Sequence, residues 1–163
     1  MKKLIITLIM LTSGLFTTKP AYNFNLPDAK GKQVHLTDFK GKVAVIDFWF
    51  TGCINCMNFY HNSFSKAEKL FENNPDVVFV SICIDKNKAT WLKSLDKGRY
   101  ASKSCVNLFT QGKGDQHQVI KSYQVSTYPQ PIIINRKGEL VRRSEDLTKP
   151  EVLFNAINEI LRN

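Results

Sequence analysis

The sequence predicts an α/β domain, and three observations carry that reading. Two continuous apolar runs, Val43 to Phe50 and Val77 to Ile84, have the length and composition of strands covered on both faces. From Cys53 to about Asn73, and again from Thr148 to Leu161, the apolar spacing changes to that of a helix. Late in the chain, Pro131 to Asn135 and Glu139 to Arg142 flank Arg136-Lys137-Gly138, the pattern of a hairpin turn. With 163 residues and 43% hydrophobic content the chain can bury one core. It contains no internal repeat, low-complexity tract or second domain.

Taken in order, Asn25 to Lys32 reads as loop and turn, and Gln33 to Leu36 as a short strand. Lys40-Gly41-Lys42 turns into the first buried strand. The helix after it has Phe59, Ala67, Leu70 and Phe71 as inward candidates, and Asn73-Asn74-Pro75 ends it. Beyond the second buried strand, Asp85 to Leu95 reads as loop then helix, and Cys105 to Phe109 as a strand. Gln111 to Gly114 is a loop before a short helix, Gln116 to Tyr123. After the hairpin, Thr148-Lys149-Pro150-Glu151 reads as a capping box. The helix it opens carries Val152, Leu153, Ala156, Ile157, Ile160 and Leu161 on its inner stripe.

The chemistry is concentrated where the first buried strand gives way to a helix. Cys53-Ile54-Asn55-Cys56 places two thiols three residues apart at that junction. A helix starting at Cys53 points its first unpaired N–H groups at the sulfur, which favours thiolate over thiol. Cys53 is then the nucleophile and Cys56, one turn further in, the resolving thiol. The alternatives are two structural cysteines or half of a zinc site, and the chain contains no second Cys-x-x-Cys or His-x-x-x-His to complete the latter.

Residues 1–20 stand apart. Lys2 and Lys3 precede an apolar stretch from Leu4 to Leu11, which matches the charged and apolar regions of an export signal or membrane-targeting leader. The stretch is well short of the roughly 20 apolar residues that span a bilayer. Export to the periplasm or cell envelope is therefore expected, with residues 21–163 as the functional domain. Losing that leader removes three of 23 Lys and Arg and none of 14 acids, so the remainder stays basic. Six cations between Lys86 and Lys103 face the single acid Asp96, either a solvated face or an attraction for an acidic partner. An exported chain has no nucleic acid to meet, so nucleic-acid binding is not expected.

Asp-Phe-Trp leading into Cys-x-x-Cys, and Tyr128-Pro129 leading into a late strand and hairpin, resemble the thioredoxin superfamily, and within it the exported TlpA/ResA-like thiol-disulfide oxidoreductases. Their pattern is followed by Leu26-Pro27-Asp28, Gly31-Lys32, Leu36 and Phe39-Lys40-Gly41-Lys42, and their extra segment corresponds to about residues 86 to 124. The resemblance covers about residue 22 to the end. It implies a thioredoxin-like fold: a central mixed sheet with helices on both faces, an N-terminal extension, and an insertion before the strand that follows a cis proline. That proline would be Pro129, packed against the sulfurs and freeing the preceding backbone to pair with an extended substrate segment. Pro131, at the opening of the strand, suits a trans proline.

Asp47 is a carboxylate inside an otherwise apolar strand, so it must be solvated, paired or neutral, and burial raises its pKa. It lies six residues before Cys53, the spacing of the buried aspartate in thioredoxins, and the resemblance implies a proton acceptor for Cys56 through water. The alternative is an aspartate that solvent reaches or a backbone N–H holds. Trp49 and Tyr128 are candidates for an apolar docking rim or for core, and Gly52, Ile54 and Asn55 complete the expected substrate-binding set. This chain departs from the family where Gly52 replaces the usual tryptophan before the first cysteine, removing bulk beside the nucleophile. Ile54-Asn55 replaces dipeptides ending in proline and brings no charge. Phe59 stands where an acidic residue is frequent, leaving Asp47 as the proton handler, and His61 takes the place of a helix-kinking proline.

Cys83 reads as a small buried apolar residue, while Cys105 is harder to place. Four cysteines allow three full pairings, a Cys83–Cys105 bridge among them. His35 and His117 carry no motif. The reading as a whole is an exported dithiol oxidoreductase, monomeric, with neither cofactor nor metal, acting on protein disulfides. The resemblance favours a reductant, regenerated by a membrane-bound electron donor and serving cytochrome c maturation. Three other classes are open. A Sco-like copper chaperone would need a three-residue spacer and a late histidine; a peroxiredoxin-type peroxidase would need threonine where Phe50 stands; a non-catalytic docking domain would bind without its thiols.

Overall fold

The computed structural model describes residues 20–163, and the leader-like residues 1–19 lie outside that range. Its centre is a five-stranded mixed sheet in the order β5-β4-β3-β6-β7, where β3 is Val43–Trp49, β4 Val77–Cys83, β5 Val106–Phe109, β6 Ile132–Ile134 and β7 Leu140–Arg143. β3, β4 and β5 run parallel, and β6 and β7 complete the sheet antiparallel to their neighbours. All seven side chains of β3 are buried, as its unbroken apolar run requires of a central strand.

Alternation along β3 divides the core. Ala44, Ile46 and Phe48 face one side, covered by α4 (Gln118–Ser122) and a two-stranded hairpin, β1 (Asn25–Pro27) with β2 (Gln33–His35). Val43 and Val45 face the other, covered by α1 (Ile54–Phe59), α2 (Ser65–Leu70) and α5 (Pro150–Arg162). A third cluster at the carboxyl end of β3 gathers Trp49, both site cysteines, Trp91 from α3 (Lys88–Asp96), Tyr100 and Phe109. The mixed sheet with layers on both faces is the architecture that the family resemblance implies.

Several local expectations are corrected. Asn25–Pro27 is a strand rather than loop, because Leu26 is driven into the core while Asp28 closes the turn by accepting the Lys30 and Lys32 N–H groups. The helix after Cys53 is interrupted by a π turn, Tyr60–Phe64, which contains His61. Leu70 is exposed, since Phe64, Ala67 and Phe71 already fill the inward line. Val152 is likewise exposed, one residue off the stripe of Leu153, Ala156, Ile157 and Ile160.

The capping box at Thr148 does not form. Glu145–Thr148 makes its own 3-10 turn in which the Thr148 hydroxyl donates to the Glu145 carbonyl, 2.7 Å, and α5 starts with Lys149 as N-cap and Pro150 in its first turn. The expected helix from Gln116 splits, with His117 capping α4 through Nδ1, which accepts the Val119 N–H at 3.1 Å. Cys83 and Cys105 are buried and unpaired. Register explains it: Cys83 stands opposite Phe109 and Val80 opposite Val106, which leaves Cys105 beyond the far end of the paired segment.

Pro20 forms an isolated antiparallel bridge with Glu139, and the Ala21 N–H donates to the Gly138 carbonyl, 2.9 Å. Gly41 donates to Arg136 beside them, 3.0 Å, so the described chain begins at the end of the sheet where β3 starts. The cysteines lie past the other end.

Candidate active site

Cys53 and Cys56 are joined in a disulfide, with Cα atoms 5.3 Å apart. Cys53 is the N-cap of α1, its side chain accepting the Cys56 N–H at 3.1 Å, so the amide donor expected beside the first sulfur is present. The two sulfurs are unequal in access: Cys53 is 7% exposed and Cys56 1%. An incoming thiol or disulfide therefore reaches Cys53, as the nucleophile assignment requires.

The peptide bond before Pro129 is cis, whereas that before Pro131 is not among the cis bonds of the described residues. The turn it makes carries the Tyr128 carbonyl to 3.8 Å from the Cys53 sulfur. Beside it runs an open groove of about 510 Å³, lined on the helix side by Asn55, Asn58 and Asn62 and on the turn side by Thr127, Tyr128 and Pro129. A larger hollow of about 1170 Å³ lies at the opposite end of the sheet between Tyr22, Gln124, Arg136 and Arg143, remote from the sulfurs.

Asp47 is 2% exposed and its Oδ1 has no hydrogen-bond partner. Burial pushes its carboxyl well above the ordinary carboxylate range, only partly opposed by a hydrogen bond from the Phe48 backbone. On the paired strand Ser81 stands opposite it, and the Ser81 hydroxyl accepts the Trp49 indole N–H at 2.6 Å. Solvent does not reach this residue, and the Phe48 backbone holds it in part, so burial and a backbone contact are both present.

Trp49 does not form a docking rim, because it is wholly buried, tied to Ser81 and stacked on Tyr100. The exposed aromatic is its neighbour Phe50, which meets Tyr128 edge-on with ring centroids 5.5 Å apart. Ile54, between the two cysteines in sequence, is 68% exposed, and Asn55 lines the groove. The sequence signal for Phe50 is its place one residue past the end of a strand buried throughout. Asp85 was not anticipated: its carboxylate accepts the Thr51 N–H at 2.8 Å and the Thr51 hydroxyl at 2.6 Å, across 34 residues of chain. Its only local signal is a charge directly after an apolar strand.

Gly52 has φ +97°, a left-handed conformation that side chains with a Cβ adopt at a cost of about 1–2 kcal/mol. A Cβ placed there meets nothing within 4 Å. Gly52→Ala is expected to lower unfolding free energy by about that amount, measured by denaturant titration of the oxidised protein.

Residues 17–143 match the family model described as AhpC/TSA. The chain belongs to the AhpC/TSA family. Within it, the sequence and fold are those of a TlpA/ResA-like member of the thioredoxin superfamily. The chain is 29% identical over 123 residues to the thiol-disulfide oxidoreductase ResA of Bacillus subtilis, covering 75% of this chain and 63% of that protein. The ResA of Bacillus thuringiensis subsp. konkukian is 26% identical over 142 residues, with 87% and 77% covered. Among solved structures, the thioredoxin domain of a thiol-disulfide oxidoreductase from Bacteroides vulgatus superimposes with a TM-score of 0.73 at 25% identity, covering 89% of this chain and 97% of that one. Among the described residues, no cluster of three or more His, Cys, Asp or Glu has an arrangement suited to a metal ion.

Proposed function

We propose that this AhpC/TSA-family domain is a thiol-disulfide oxidoreductase that reduces protein disulfides in the cell envelope. The observation that carries the reading is the Cys53–Cys56 pair itself: a linked dithiol whose outer sulfur accepts a backbone N–H and lies 3.8 Å from the carbonyl of the cis-proline turn. The ResA relatives, named for the same activity, support it.

In the reducing direction, the Cys53 thiolate attacks one sulfur of a substrate disulfide and expels the other as a thiolate, leaving a mixed disulfide. The Cys56 thiol then gives its proton through water to Asp47, and its sulfur attacks Cys53. The Cys53–Cys56 bond forms, the second substrate thiolate leaves, and two electrons have passed to the substrate. No soluble cofactor enters these steps. The oxidised pair must be reduced again, which in the envelope calls for a membrane-bound electron donor. The leader-like residues 1–20 support that location, and the ResA resemblance supports a monomer keeping haem-binding thiols reduced for cytochrome c maturation.

Cys56→Ser is the test. The variant lacks the resolving sulfur, so mixed disulfides between Cys53 and its substrates should accumulate in envelope extracts and vanish on adding dithiothreitol. Apocytochrome c among the trapped proteins supports the pathway. Absence of any adduct in cells where the wild-type pair cycles between oxidised and reduced forms contradicts the oxidoreductase reading.

A further inference from the structure

We infer that Tyr100 is a positioning residue for Cys53: its hydroxyl holds the Gly52 backbone of the loop that delivers the nucleophilic sulfur. The inference rests on the oxidoreductase reading above. The three residues before α1 have all their N–H groups engaged. Thr51 donates to Asp85 Oδ1 at 2.8 Å, Gly52 to the Tyr100 hydroxyl at 2.9 Å, and Cys53 to the Phe50 carbonyl at 3.2 Å. Two of those three acceptors lie beyond β4, and Tyr100 reaches Gly52 across 48 residues of chain.

Tyr100 is itself firmly placed. It is buried, and its ring lies flat on Trp49, centroids 4.7 Å apart and planes 6° from parallel. Trp49 is fixed from below by Ser81, so the hydroxyl is presented from a stacked pair anchored in the sheet. Glycine at position 52 allows the left-handed turn that points its N–H at this hydroxyl. The Thr51 hydroxyl also lies 2.7 Å from Ser94 of α3, so the insertion grips the loop at consecutive residues.

The consequence falls on Cys53. Its sulfur meets the Cys56 N–H only while the loop keeps this course. Without the Tyr100 hydroxyl, the Gly52 N–H loses its protein partner, the peptide before Cys53 turns to find water, and the thiolate loses its aligned donor. Other titratable groups near Cys53 are Cys56 on α1, Cys83 at the end of β4, Asp85 behind Thr51, and Tyr128 on the cis-proline turn. Tyr100→Phe removes only an oxygen and leaves them in place.

The test is the rate of iodoacetamide alkylation at Cys53, followed by peptide mass spectrometry on the reduced full chain from pH 5 to 9, with exchange against a model disulfide measured in parallel. Tyr100→Phe keeps the stacked ring and should alkylate about fivefold more slowly at pH 7, the worth of one hydrogen bond, with its titration midpoint moved up. Tyr100→Leu, which loses the stack as well, should slow at least as much. An unchanged Cys53 profile in Tyr100→Phe, with wild type exchanging normally, overturns the positioning role alone. A wild type that does not exchange disulfides overturns the oxidoreductase reading on which it rests.

Discussion

Cys53→Ser is expected to reduce disulfide exchange to the uncatalysed background, whereas Cys56→Ser keeps the first half of the reaction and stalls. The asymmetry follows from access: the Cys53 sulfur accepts a backbone N–H at 3.1 Å and belongs to the more exposed residue of the pair, while Cys56 is covered. A serine hydroxyl at position 53 is not ionised at neutral pH, so no nucleophile remains where a substrate disulfide arrives. Reduction of a model protein disulfide, read by thiol release, checks both variants. Single-turnover release of one substrate thiol by Cys53→Ser, at a rate near that of Cys56→Ser, would reverse the assignment of nucleophile and resolving thiol.

Asp47→Asn has two expected effects of opposite sign. Resolution of the mixed disulfide should slow by about a hundredfold between pH 6 and 8, the lower end of what a positioned proton acceptor contributes. Equal rates for variant and wild type in that range would remove Asp47 from the proton path. Stability should change the other way. The ordinary carboxyl value is 3.8, and burial raises the folded-state value well above it. Below pH 3.8 both states hold the proton. As pH rises past it, the unfolded chain ionises freely while the folded one resists, so this residue lowers stability up to the folded-state pKa. The asparagine variant cannot ionise, and at pH 8 it should be more stable than wild type, with the gap closing towards pH 4. Denaturant unfolding at several pH values measures this directly.

The parts of the fold that could be read from sequence are those whose apolar period is long or whose turn chemistry is local. β3, β4 and the β6–β7 hairpin are of this kind, as are the Cys-x-x-Cys junction and the buried aspartate within β3. What was not legible depends on contacts between distant residues or on choices with no residue signature. The π turn at Tyr60–Phe64 has no marker of its own once proline is absent. β1 is three residues long and exists because β2 pairs with it. Thr148 fits a capping box by composition, but the preceding 3-10 turn takes its hydroxyl. Asp85 and Tyr100 are ordinary residues of an insertion until the fold brings them to Thr51 and Gly52. Trp49 and Phe50 are both aromatic at the end of one strand, and the packing of Tyr100 on the first leaves the second at the surface.

The bridge between Pro20 and Glu139 gives the molecule a direction. Chain preceding Pro20 joins the body where β3 begins, and the sulfurs emerge where it finishes, about 20 Å away for a strand of this length. The start of the described chain and the disulfide thus sit at opposite ends of one strand, so a molecule docking on the sulfurs leaves the Pro20 end uncovered.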